Sequence, residues 1–231
     1  MILTTHQPIF LPWPGFFAKA MRADVMVLLD AVQFPVGRGW MNRNRLKSAH
    51  GDLWLTVPVH RKGRGKQTIG AMELFEASDW RRTHLRGIRQ HYAHAPFLSD
   101  YWSRIEAIYR RGNRYLLEFN LALIRLMYES LGIGARLCLQ SELGVVGTGT
   151  RLLVDLCETT GTDTYLALPQ SVKYLESPRF RDAGVDLRFL AFEPPVYPQL
   201  WGEFRYNLSM LDLLLCHGSK SPDIIKTGLR P

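Results

Sequence analysis

Eleven residues near the start of the chain have the types and spacing to do chemistry. They are His6, Gln7, Trp13, Gly15, Asp30, Gln33, Trp40, Asn42, Arg43, Asn44 and Lys47. An imidazole such as His6 serves as a general base or a phosphate ligand near neutral pH, and Gln7 adds directional hydrogen bonds. An acid at Asp30, with Gln33 close behind, suits a ribose or sugar hydroxyl, a metal or an ammonium group. In Trp40-Met41-Asn42-Arg43-Asn44 two amides bracket a guanidinium and no apolar periodicity is present. Packing explains that pattern poorly. Arg43 forking onto a phosphate or carboxylate, aligned by Asn42 and Asn44 and joined by Lys47, explains it better. Trp13 and Trp40 would form apolar walls, and Gly15 would let a ligand approach the backbone. We therefore assign His6, Asp30 and Arg43 as catalytic and the other eight as substrate contacts, with no metal. Blander readings stand beside these: a structural histidine after a strand, an aspartate capping a turn, and Trp13 as a hydrophobic staple at a helix entry.

The elements that must position these groups follow a recognisable rhythm. Met1 to Thr5 and Val25 to Leu29 are apolar runs, and Phe16 to Ala23 between them suits a helix whose first turn begins near Pro12 and Pro14. Strand, loop, helix, strand is the start of an α/β domain. Ligands in open α/β sheets bind beyond the carboxyl ends of the strands. His6-Gln7 and Asp30 to Gln33 sit at those ends and converge if the strands are parallel neighbours. A helix N-terminus following His6 would add anion-binding amides.

Residues 53–59 (LWLTVPV) read as a strand, 60–67 as a Gly- and Lys-rich loop, and 69–75 as one more short strand. Three helical patterns fill residues 78–131, broken at Pro96 and Gly112-Asn113. Strands at 136–139, 164–168 and 185–189 alternate with helices at 151–160 and 179–183. A last helix spans 208–215, and the final ten residues look frayed. The glycine-rich 144–150 segment lacks both the Walker lysine and the dinucleotide spacing, so a connection is preferred over a phosphate cradle. The expectation is one α/β, Rossmann-like domain over residues 1–231. Its sheet is mostly parallel, with a helical insert at about 78–131.

Composition narrows the class. Of 231 residues, 46% are apolar, enough for a substantial core. The three cysteines, Cys138, Cys157 and Cys216, are far apart and form no CxxC pair. Buried thiols in a reducing compartment fit better than zinc or a disulfide framework. No run approaches the ~18 apolar residues of a membrane span. No basic stretch precedes an apolar one at the start, and a cytoplasmic location is expected. The net charge is +8, and residues 35–66 account for +7 of it through Arg38, Arg43, Arg45, Lys47, Arg61, Lys62, Arg64 and Lys66 against Asp52. Such a block suits an anionic small-molecule partner (a nucleotide, a sugar nucleotide or an aminoacyl donor), with tRNA as a larger candidate. A solvated basic loop is the alternative.

These motifs carry a family resemblance. The run from His6-Gln7-Pro8 through Leu11-Pro12-Trp13-Pro14-Gly15-Phe16-Phe17-Ala18-Lys19, then Ala23-Asp24 to Leu29-Asp30-Ala31-Val32-Gln33-Phe34, then Trp40-Met41-Asn42-Arg43-Asn44, resembles the WbqC-like proteins. Similarity continues through Leu53 to Val59, His91-Tyr92 to Phe97, Leu131-Gly132-Ile133, Ser141-Glu142-Leu143, Tyr197-Pro198-Gln199 and Leu208 to Leu214. The chain departs at Ala167-Leu168, where relatives often carry Ser-Gly, and at Leu215-Cys216, where many carry Phe-Asn. The resemblance implies a setting in bacterial surface-polysaccharide (O-antigen) assembly, with glycyl or other aminoacyl transfer to an amino sugar as the proposed reaction. A looser similarity to the opening of HIGH-motif nucleotidylyltransferases lacks that motif's second histidine. The favoured expectation is a transferase with no cofactor assigned. The alternatives are a nucleotidylyltransferase-like enzyme and a non-catalytic module binding a sugar nucleotide or RNA.

Overall fold

Five short strands, β1 (Ile2–His6), β2 (Val25–Leu28), β5 (Arg136–Leu139), β6 (Thr164–Ala167) and β7 (Asp186–Phe189), pair in the order β5-β2-β1-β6-β7. Every pairing is parallel. Two further strands, β3 (Arg43–Ser48) and β4 (Gly51–Thr56), form a separate antiparallel hairpin. The computed structural model describes every residue except Arg38, Ala77 and Pro231. Arg38 of the basic block thus lies outside the described residues.

Alternation along the central strands sends side chains to two cores. Leu3, Val25, Val27, Tyr165 and Ala167 face one side, where Leu152, Leu156 and Cys157 of α5 (Gly149–Thr160) and Phe180 of α6 (Ser177–Asp182) cover them. Met26, Leu28 and Leu166 face the other. There α1 (Pro14–Ala20), the helices α2 (Trp80–His91), α3 (Leu98–Arg110) and α4 (Leu116–Ser130), α7 (Met210–His217) and α8 (Ser221–Thr227) share one larger core with the hairpin. This is a Rossmann-like α/β architecture with helices on both faces of a parallel sheet. None of the described helices is long and apolar enough to cross a membrane.

The turn from β1 into α1 is held from outside. Leu11 adopts a left-handed backbone, φ 46°, a conformation that costs a residue with a Cβ roughly 1–2 kcal/mol. Asn44 Nδ2 donates to the carbonyls of Phe10 (3.3 Å) and Leu11 (2.6 Å). Asn120 Nδ2, on α4, donates to Pro8 (2.8 Å) and Met41 (2.9 Å). Two buried carboxamides therefore satisfy four backbone carbonyls and tie the loop to the hairpin and to the helical insert.

Three local expectations need correction. Residues 43–48 form a strand, because Arg43, Arg45 and Lys47 alternate with Asn44, Leu46 and Ser48 at the period of two that a hairpin needs. Residues 69–75 form no strand; isolated bridges such as Val59 with Leu74 and Glu73 with Tyr115 take its place. The end of the chain is not frayed over 221–227. It forms α8, with Ile225 fully buried and Ser221 Oγ donating to Leu213 O. The following backbone exchanges bonds with the segment after β7: Glu193 N–H to Gly228 O (2.9 Å) and Arg230 N–H to Ala191 O (2.9 Å).

Replacing Asn120 by Leu would strip two buried carbonyls of their donor, a loss of about 1–3 kcal/mol. The lower half of that range is expected, because Asn120 Oδ1 is itself enclosed without a donor. Urea unfolding of Asn120→Leu checks this; an unchanged midpoint would show that the loop does not depend on the clamp.

Candidate functional site

β1 is the topological switch point: β2 lies on one side of it and β6 on the other. A cavity of about 570 Å³ opens beyond the carboxyl ends there. His6 and Gln7 enter it from the end of β1, and Ile9 and Trp13 from the following loop. Pro35, Gly39, Trp40 and Met41 come from the β2–β3 connection, and Asn44 and Arg45 from β3. Gln170 follows β6, Phe192 and Pro194 follow β7, and Asn207 precedes α7. A larger surface groove of about 780 Å³ runs between α3 and α4 past Arg104, Arg111 and Glu129. No strand end reaches it, so the switch-point cavity is the stronger candidate.

His6 Nδ1 lies 2.9 Å from the Gln7 carbonyl oxygen. A carbonyl only accepts, so Nδ1 carries the proton and Nε2 keeps its lone pair. The ring meets Phe16 edge-on at 4.9 Å. Burial, and then the Lys19 ammonium, press the His6 pKa down to about 3, against the opposing pull of the Gln7 carbonyl. Lys19 is 3% exposed and donates to the Thr5 carbonyl. Burial lowers it to about 7.

The lining has an unusual polar set. Gln7, Gln170 and Asn207 make no side-chain hydrogen bond among the described residues, whereas Asn44 is spent on Phe10, Leu11 and the Arg45 N–H. Among the described residues, Arg45 is the one formally charged side chain on the wall. It is oriented by Asp52 Oδ2 (2.7 Å) and the Tyr206 carbonyl (3.1 Å). Trp13, tilted against Phe192 at 6.3 Å, and Trp40 supply the aromatic surfaces. Among the described residues no group of three His, Cys, Asp or Glu side chains could hold a metal ion.

His6, Gln7, Trp13, Trp40 and Asn44 are thus brought together, and six others are not. Asp30 is 3% exposed, and its carboxylate takes the Ser141 N–H (3.0 Å) and Ser141 Oγ–H (2.5 Å), binding the end of β2 to the turn after β5. Both its oxygens are engaged by Ser141, and it does not line the cavity. Arg43 points from the outer face of the hairpin and covers the Trp54 ring at 4.1 Å. The expected common cleft for His6, Asp30 and Arg43 therefore does not form. Asn42 bonds the Val57 carbonyl (2.8 Å), and Gln33 is exposed and bridges Thr68. Lys47 is buried beside the Gly202 carbonyl. It lies near Asp212, whose carboxylate accepts from Tyr92 and Tyr197. Burial lowers Lys47 and raises Asp212.

Gly15 lies under the Trp13 ring, where an added Cβ would sit 1.8 Å from a ring carbon. The start of α1 is consequently a poor anion site. Pro14 has no N–H, Phe16 N–H bonds Trp13 O at 3.0 Å, and the indole covers Gly15. The 144–150 segment does not line the cavity either.

The WbqC-like protein family's model matches residues 7–224. The chain belongs to the WbqC-like protein family. It is also 30% identical over 224 residues, 95% of each chain, to the protein named Uncharacterized protein Rv1507c of Mycobacterium tuberculosis (strain ATCC 25618 / H37Rv). The WbqC-like match begins one residue after His6 and takes in every other residue of the cavity wall. Sequence reasoning missed Arg45, Gln170, Phe192, Pro194 and Asn207. Strand order alone would have pointed to Gln170, since it follows the strand across the switch point. Phe192 reaches the wall through its bridge to Leu229 beyond α8.

Two outcomes are expected of this WbqC-like chain. The unfolded state protonates His6 and His84 near pH 6.5, while the folded state holds them neutral down to about 3 and about 4. Stability should therefore climb as pH rises from about 3 to 6.5. It should climb again between about 7 and 10.5, where the unfolded chain keeps a proton on Lys19 that the folded one releases. Denaturant midpoints against pH check both limbs. Lys19→Met should abolish the upper limb's Lys19 contribution and also shorten the lower one, since His6 loses the ammonium that helps hold its pKa down. Gly15→Ala should displace the Trp13 indole and cost about 1–3 kcal/mol, read as an earlier unfolding midpoint with a shifted indole emission; a wild-type profile would place Trp13 elsewhere.

Proposed function

We propose that the switch-point cavity is the active site of a transferase in bacterial surface-polysaccharide assembly, with acyl or aminoacyl transfer to the amine of an amino sugar as the favoured reaction. The observation that carries the reading is the set of three uncommitted carboxamides, Gln7, Gln170 and Asn207, between the Trp13, Trp40 and Phe192 rings. Carboxamides both donate and accept, which suits hydroxyl and acetamido groups. Aromatic faces suit the apolar faces of a pyranose. Arg45 adds a positive charge for an anionic substituent. Membership of the WbqC-like family supports the same setting.

In this scheme the substrate nitrogen attacks the donor carbonyl carbon. The new C–N bond forms, and the bond from that carbon to the leaving group breaks with its electron pair. His6 acts through Nε2. A pKa of about 3 makes it a weak base toward an ammonium. Its main part is to accept the hydrogen bond that aims the nucleophile, taking the proton only as the nitrogen becomes acidic on attack. Positioning supplies most of the rate, and His6 contributes toward the lower end of the usual 10²–10⁴-fold.

The test is native mass spectrometry of the purified chain for a co-purifying sugar-containing ligand, followed by transfer assays on amino sugar nucleotides. Gln170→Ala should lower ligand occupancy about tenfold, and His6→Ala should lower kcat about 10²-fold with little change in KM. Full turnover by His6→Ala would remove its role. A ligand retained equally by Gln170→Ala would remove the cavity reading. Binding without any transfer would favour a non-catalytic module.

A further inference from the structure

Outside the cavity, two indoles stand exposed side by side. Trp40 is 50% exposed and Trp54 43%. Their ring centroids are 6.0 Å apart and the planes differ by 25°. The Arg43 guanidinium covers the Trp54 ring at 4.1 Å, and Arg45 lies 5.9 Å from it. Strand alternation produces this ladder: Arg45 pairs with Trp54 in register and Arg43 with Thr56, so all four project from the outer face of the hairpin.

Arg43 has no carboxylate partner among the described residues, and its Nε–H is enclosed without an acceptor. Neighbouring charges do not quench the patch. Asp52 is shared between Arg45 (2.7 Å) and Arg205 (3.3 Å), so that trio keeps one positive charge. Arg61 bonds the Gly37 carbonyl at 2.9 Å, bracing the loop that carries Trp40. A cation–π contact accounts for Arg43 over Trp54, at about 0.5–1 kcal/mol for an exposed site. It does not account for Trp40, which belongs to a loop and gains nothing from that contact. Trp40 and Arg45 also line the cavity, so ladder and cavity form one continuous surface.

We propose that the Trp40–Trp54–Arg43 ladder is the subsite for the base and diphosphate of a nucleoside diphosphate, with the attached sugar entering the cavity. This rests on the cavity reading above and deepens it by naming the substrate class, a nucleotide-activated sugar. An aromatic base stacks on the indoles. The guanidinium of Arg43, with Arg45 behind it, meets the phosphate charge. An apolar partner would leave Arg43 unpaired, and inorganic phosphate alone would leave the indoles exposed.

The experiment is calorimetric titration at one fixed low salt concentration with UDP, ADP, inorganic pyrophosphate and UDP-N-acetylglucosamine. At least one nucleoside diphosphate should bind about tenfold or more tightly than pyrophosphate. Trp54→Leu should weaken that nucleotide about 5- to 100-fold and leave pyrophosphate unchanged. Arg43→Gln should weaken both. Gln170→Ala should reduce only the extra affinity of the sugar nucleotide over UDP. Pyrophosphate binding as tightly as the nucleotides, no nucleotide binding, or a nucleotide affinity untouched in Trp54→Leu each overturns the subsite. So does an equal loss of pyrophosphate in Trp54→Leu, since that marks a general disturbance of the hairpin. Failure of the Gln170 arm alone overturns the cavity reading and leaves the ladder standing.

Discussion

Two side-chain amides hold the first loop of the sheet in place, and the cavity depends on them. Asn44 and Asn120 approach the Pro8–Leu11 segment from different elements and give their N–H groups to Pro8, Phe10, Leu11 and Met41. Four buried carbonyls without donors would cost far more than one left-handed residue. The loop therefore accepts a positive φ at Leu11 as the smaller cost. Its path then delivers Trp13 to one wall. The same amides fix Met41 and, through the backbone bond from Phe10 N–H to Trp40 O (3.2 Å), the opposite wall. The helical insert is thus part of the site's scaffold, although none of its residues lines the cavity.

Charge is arranged with similar economy. Among the described residues the cavity wall carries a single formal charge, that of Arg45, and the His6 imidazole is held neutral by its buried surroundings and by Lys19. A neutral histidine with a fixed tautomer is a reliable acceptor over a wide pH range. Elsewhere two acids are each divided between two arginines. Asp52 serves Arg45 and Arg205, and Glu73 serves Arg64 and Arg114. Exposed pairs of this kind contribute little to stability. Their effect is to hold guanidinium groups in place while each trio keeps a net positive charge.

The sheet was legible in the sequence because a strand covered on both faces reads as an unbroken apolar run. Val25 to Leu28 and Thr164 to Ala167 are buried at every position. The hairpin was not, because its alternation is between basic and amide residues and so resembles a binding motif. Asp30 was legible as a special acid, but its hold on Ser141 was not. Its partner Ser141 is distant in sequence and meets it only when β2 and β5 pair. The first half of the site, His6 to Trp40, could be found because those residues are close along the chain. Gln170, Phe192 and Asn207 arrive through strand order and through α8, which local pattern does not encode.

The segment Trp40 to Lys47 shows why residue type alone does not say which side chains share a face. Chemistry read from composition treats Asn42, Arg43, Asn44 and Arg45 as one cluster. A strand divides them, since neighbours project to opposite faces. Asn44 turns inward, where burial makes its amide a clamp on the β1–α1 loop. Arg43 and Arg45 turn outward onto Trp54. The inward residue must stay because an unsatisfied carbonyl is expensive. Of the outward ones, Arg45 is held by Asp52 and the Tyr206 carbonyl, whereas Arg43 lies against an exposed ring with no carboxylate partner among the described residues. What the fold demands therefore explains the inner face of the hairpin and does not explain the outer one, where the proposed nucleotide subsite lies.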